Sequence, residues 1–144
     1  MRMNSGQPQY FICSLATRAV RRMVTYYNRA FEPLGLTAQQ VMALGVLWQE
    51  DGISLGEFAR QAGMGKAAAV TIIKRLEGMG LVSKRIHPKD GRLNILTLTE
   101  KARKLAPKIL EMGTKLEKSI EDAVGQKDTQ ALIKALTLIR DLDI

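Results

Sequence analysis

The chain has one cysteine, one histidine and four prolines among 144 residues, and no apolar run approaches the ~20 residues that a membrane-spanning helix needs. Each scarcity excludes something. A lone cysteine, Cys13, forms no internal disulfide, so a reducing cytoplasm is the expected compartment and no membrane contact is expected. With His87 as the only histidine, the three or four clustered ligands of a zinc site are missing, and neither a metal nor another cofactor is expected. Tyr10-Phe11-Ile12 is too short for the apolar centre of a signal peptide, and Arg18, Arg21 and Arg22 follow closely, so no export signal is expected. No carboxylate pair, glycine-rich phosphate loop or base beside Cys13 is apparent, which argues against an enzyme. Repeats, low-complexity tracts and long linkers are absent too, and the length favours a single domain, 1–144.

What the chain does have is positive charge, unevenly placed. The net charge is +8. Residues 64–104 hold ten Lys or Arg against three acids, a balance of +7, while 1–63 carry +2 and 105–144 carry −1. A local excess that can face one polyanion is the electrostatic footprint of a nucleic-acid binder, although a charge run alone is more often a solvated face.

The local pattern in and just before that basic region decides between the two. Ser54-Leu55-Gly56-Glu57 reads as a capping box in which hydroxyl and carboxylate satisfy each other's amides, with Ile53 and Phe58 as a hydrophobic staple. A helix over Leu55 to Gln61 then meets the turn Ala62-Gly63-Met64-Gly65, and a second helix runs from Lys66 to about Gly78. Leu81–Ile86 and Leu93–Leu98 alternate partly on either side of His87-Pro88-Lys89-Asp90-Gly91-Arg92, a hairpin loop. Helix, turn, helix, hairpin is the layout of a winged helix. The expected fold is mainly α (α+β): a winged helix-turn-helix lobe with a small β-hairpin wing at 35–104, flanked by helices at 1–34 and 105–144.

Those flanks speak of assembly. Ile12, Leu15, Ala19, Met23, Tyr27 and Ala30 form a stripe on a first helix that ends at Glu32-Pro33-Leu34-Gly35. Thr37-Ala38-Gln39-Gln40, stapled by Leu36 and Val41, starts a second helix that supports the lobe. Thr99 caps a long helix that Pro107 should kink, and Gly125 separates it from a last helix carrying Leu132, Ala135, Leu136, Ile139 and Leu142. Apolar stripes at both ends suit a homodimer, whose two reading helices could address major grooves about 34 Å apart.

Taken together, Leu36-Thr37-Ala38-Gln39-Gln40, Ser54-Leu55-Gly56-Glu57-Phe58-Ala59, Leu76-Glu77-Gly78-Met79-Gly80-Leu81-Val82 and the wing Asp90-Gly91-Arg92 leading into Leu96-Thr97-Leu98-Thr99-Glu100-Lys101 resemble the multiple-antibiotic-resistance regulator (MarR) family. The resemblance covers nearly the whole chain. It implies a homodimeric repressor of double-stranded DNA, released from a palindromic operator by a small aromatic or anionic effector. The terminal helices would pair, the helix from Lys66 would enter the major groove, and Arg92, positioned by Asp90, would reach the minor groove.

The reading helix departs from the family pattern of Ser, Thr and Arg, since its early turns are Lys66-Ala67-Ala68-Ala69-Val70-Thr71. Ala67, Ala68 and Val70 suit thymine methyls, Thr71 a base edge or phosphate, and Lys74 and Arg75 phosphates. Alternatively the alanines serve helix propensity or close packing. Lys66 opposes the helix dipole, a penalty that a nearby phosphate would remove. Lys84, Arg85 and Lys89 complete the expected contact set on the hairpin.

Peroxide-sensing members of the family hydrogen-bond a cysteine to tyrosines, so Cys13, Thr17 and Tyr27 are candidate sensing residues, although Thr17, Ala38 and Val41 stand where further tyrosines would be. Cys13 lies near a helix start and arginines, a setting for a reactive thiol; a lone cysteine is equally at home as inert filler. Two other classes stay open. A thiol peroxidase on Cys13 would need a base the sequence does not offer, and a winged helix serving as a protein-interaction module would need no basic reading face.

Overall fold

The computed structural model describes residues 11–91 and 94–143. Helix α1 (Phe11–Phe31) leads through a short 3-10 turn to α2 (Ala38–Gln49); β1 (Ile53–Ser54), α3 (Leu55–Ala62) and α4 (Lys66–Gly78) follow. The hairpin β2 (Val82–Ile86) and β3 (Asn94–Leu98) precedes α5 (Glu100–Val124) and α6 (Gln126–Arg140). A mainly helical winged helix-turn-helix results, and residues to Ala102 and those from Arg103 on form two compact units.

Local chemistry sets most of the boundaries. Gly35, at a left-handed φ of 69°, closes the turn after α1 by donating its N–H to the Glu32 carbonyl at 2.8 Å. At α2 the expected capping box is complete: Thr37 Oγ1 accepts from the Gln40 amide at 3.2 Å, and Gln40 Oε1 accepts from the Thr37 amide at 3.0 Å. Asn28 Oδ1 accepts the Ala38 amide at 2.7 Å, fixing the start of α2 to α1. Gly63, with φ of 65°, ends α3. Thr99 Oγ1 accepts from the Ala102 amide at 3.2 Å, capping α5, which continues unbroken through Pro107 to Val124.

Two expectations need correction. Ser54 caps α3 by accepting the Glu57 amide at 3.1 Å, but the reciprocal half of the box does not form. The Glu57 carboxylate instead takes Arg60 Nε at 3.0 Å and Gln61 Nε2 at 2.9 Å, since a guanidinium one turn away offers a charge-assisted bond. The sheet also has a third strand that the sequence did not suggest. Its order is β1-β3-β2, all antiparallel, with Ile53 opposite Leu96 and Ser54 opposite Ile95. Val82 pairs with Leu98 and Ile86 with Asn94 in the hairpin.

The first unit's core lies between the helices and this sheet. Leu44, Leu47, Phe58, Ile73, Leu76, Leu81 and Leu96 are fully buried, each stabilising by about 1.5–3 kcal/mol. Asp51 Oδ1 bonds the Leu98 and Gly52 amides, both at 3.0 Å, and so ties the segment before β1 to the end of β3. In the second unit α6 buries no residue, and Leu132, Ile133, Leu136, Leu138 and Ile139 stand exposed along it.

Candidate nucleic-acid interface

Helix α4 divides sharply by face. Ala69, Ile72, Ile73 and Leu76 are buried, which turns Lys66, Ala67, Ala68, Thr71, Lys74 and Arg75 to solvent. Val70 is half-buried and stands apart from that outer face. The N-terminus of the helix is bare: Gly65 provides no side-chain cap and the first turn holds no acid, so orphan amides and Lys66 point the same electropositive way. Thr71 donates its hydroxyl to the Ala67 carbonyl at 3.0 Å, as a mid-helix threonine commonly does.

Beside α4 lies a shallow groove of about 410 Å³ that the sequence reading did not anticipate. Thr37, Gln39, Gln40 and Met64 form one wall, and Ala67, Ala68, Thr71 and Arg75 the other. The start of α2, read from sequence as core support alone, thus borders the outer face of α4. The capping motif was visible, but its neighbour across the fold was not.

The hairpin is fastened to the C-terminal end of α4. Lys84 is half-buried, and its ammonium pairs with Glu77 at 3.2 Å, so this expected contact residue is engaged within the fold. Lys101 Nζ donates to the Met79 carbonyl at 2.8 Å, and Thr99 Oγ1 to the Gly80 carbonyl at 2.6 Å. Beyond these fastenings Arg85, Lys89 and Asp90 are exposed on the wing. Arg92 lies outside the described residues. His87, read from sequence as the first residue of the hairpin loop, turns its Nδ1 to the Lys89 and Asp90 amides at 3.0 and 3.2 Å.

The candidate sensing residues do not converge within one chain. Cys13 is exposed near the start of α1, and Thr17 gives its hydroxyl to the Cys13 backbone carbonyl at 2.8 Å. Tyr27 is half-buried beside Tyr26 and Phe31, with ring centroids 6.2 and 6.4 Å away. Because α1 is one unbroken helix, the rise of ~1.5 Å per residue puts Tyr27 roughly 21 Å along the axis from Cys13, too far for a hydrogen bond. Among the described residues no group of three His, Cys, Asp or Glu could hold a metal, and no helix is long and apolar enough to cross a membrane.

The MarR family model matches residues 36–93, from the start of α2 through the wing loop. The structure of the transcriptional repressor CouR bound to a 23-mer DNA duplex superposes with a TM-score of 0.85 at 26% identity, covering 97% of this chain and 99% of that one. Family model and fold neighbour agree on a MarR-like winged lobe. A second neighbour in fold, Bordetella bronchiseptica BpsR, described for regulation of its DNA binding by 6-hydroxynicotinic acid, has a TM-score of 0.86 at 22% identity over 97% of this chain and all of that one. The organic hydroperoxide resistance transcriptional regulator of Bacillus subtilis is 25% identical over 126 residues, 87% of this chain and 86% of that protein. These relatives are transcriptional regulators, and this chain shares their winged helix-turn-helix fold.

Proposed function

We propose that the chain is a homodimeric repressor whose α4 enters the major groove of an inverted-repeat operator while the wing reaches the minor groove. One observation carries this reading: the solvent face of α4 presents Lys66, Ala67, Ala68, Thr71, Lys74 and Arg75 from an uncapped, acid-free N-terminus. Phosphates would satisfy the free amides and neutralise Lys66. Arg75 and Lys74 fit phosphate contacts, and Ala67 and Ala68 lie where thymine methyls would meet them. Arg85, Lys89, Asp90 and Arg92 extend the contact along the wing. That the similar repressor CouR is bound to a 23-mer DNA duplex supports DNA as the partner. Exposed apolar residues on α1 (Ile12, Leu15) and on α6 (Leu136, Ile139) support pairing with a second copy. A small aromatic or anionic effector releases the DNA, the mode suggested by BpsR.

The test is selection of duplexes from a random pool by the purified protein at about physiological salt. An inverted repeat with half-sites about one helical turn apart is the expected product. Weak, salt-sensitive binding to every sequence would overturn the operator reading.

Similarity to the hydroperoxide resistance regulator, with Cys13 exposed, favours a second reading of the release step. The Cys13 sulfur would attack a hydroperoxide, becoming a sulfenic acid while the peroxide leaves as an alcohol. Release of DNA by an organic hydroperoxide in the parent protein, and its loss in Cys13→Ser, is the outcome this reading requires. Release in both would exclude it.

A further inference from the structure

The chain's only histidine sits in the wing, and its ring is occupied by the backbone of its own loop. His87 Nδ1 accepts the N–H of Lys89 at 3.0 Å and that of Asp90 at 3.2 Å, while the His87 carbonyl shares the Asp90 amide at 3.3 Å. Pro88 between them has no amide proton and a fixed φ, so Lys89 carries the first amide that His87 can capture. The side chain thereby does what an asparagine or aspartate does when it closes a turn on the amide two residues on.

We infer that His87 is the positioning residue of the wing, holding the segment that presents Lys89 and Asp90 in the geometry that meets DNA. The inference rests on the DNA-binding reading given above and assigns a role within it that charge does not supply. Only an unprotonated Nδ1 can accept, so the proton of the neutral ring resides on Nε2. Both captured amides belong to exposed residues. Water replaces the imidazole for them readily, and removing the ring therefore loosens the wing while leaving the folded lobe intact. The loss falls on binding, because the loop must then be ordered when DNA arrives.

Three proteins test this: the parent, His87→Ala and His87→Asn, whose Oδ1 stands at the position of Nδ1, one bond from Cγ. Anisotropy titration with a selected duplex and amide exchange at residues 89 and 90 are read on each, together with the thermal midpoint. His87→Ala is expected to bind about tenfold more weakly and to lose protection at both amides, with an unchanged midpoint. His87→Asn is expected to restore both. Parent-like binding by His87→Ala, or His87→Asn no better than His87→Ala, overturns the role. If the parent itself binds no duplex, the regulator reading fails instead, and the exchange data still decide whether the ring holds the loop.

Discussion

The winged lobe and the terminal helices satisfy the same apolar demand in opposite ways. In the lobe, Phe58, Leu44, Leu47 and Leu96 are completely enclosed by their own chain. Along α6 no residue is buried, and Leu138 and Ile139 are 61% and 51% exposed; on α1, Ile12 is 76% exposed. Large apolar residues left exposed in this number along a helix mark a surface that another molecule completes. The lobe is finished alone, whereas in the homodimer proposed above the ends are finished by a second copy, and substitutions in the two regions should therefore fail differently.

The largest effect belongs to the lobe. Phe58→Ala should cost about 3–5 kcal/mol through the cavity it leaves, read as a lower urea midpoint, and a loss under 1 kcal/mol would contradict the enclosed core. Charging the other region should spare the fold. The double change Leu136→Asp with Ile139→Asp should give a monomer by sedimentation with an unaltered circular dichroism spectrum, and operator affinity should collapse with it. A stable dimer of that variant would move the interface elsewhere. On the reading face, Arg75→Ala should leave stability alone and reduce the slope of log K against log salt by about 0.9. Thr71→Ala, by contrast, should change preference among sequences without altering that slope. Ser54→Ala removes one cap and should cost about 1 kcal/mol in the same urea assay.

The smallest expected effect is at Glu57, whose carboxyl the Arg60 guanidinium, with help from Gln61, pulls from 4.5 down to about 2. Its folded pKa lies below the unfolded one, so its contribution is complete above pH 4.5 and is lost as pH falls through about 2. The Tm difference between the parent and Glu57→Gln should hold steady above that window and vanish below it. A difference that persisted under pH 2 would mean that the carboxylate is not what stabilises α3.

Much of the lobe was legible because its boundaries are written in local chemistry. Ser54, Gly63, Thr37 and Thr99 act within a few residues of themselves, so caps and turns followed from short strings, and α4 spans Lys66–Gly78 as read. Strand β1 escaped because two residues cannot display a period, and its partner Leu96 lies far along the chain. The reciprocal half of the Ser54 box failed because Arg60 competes for Glu57, a choice that spacing alone does not decide. At the candidate interface, composition identified the basic residues but not their engagements. Lys84 is tied to Glu77 and Lys101 to Met79, while Gln39 joins the groove from a helix that looked structural. Cys13 and Tyr27 share a stretch of sequence, yet fourteen residues of one unbroken helix separate them.

Asp51 has a consequence for how the protein is made. Its carboxylate binds the amide of Leu98, 47 residues on, at the end of the sheet where Ile53 meets Leu96. During synthesis α2, α3 and α4 leave the ribosome before β3 exists, so the strand that closes the lobe arrives last. Until it does, Ile53 has no sheet to join, and the hydrophobic residues awaiting Leu96 stay open to other chains. Helix α4 is therefore complete as a sequence well before it has a platform to stand on.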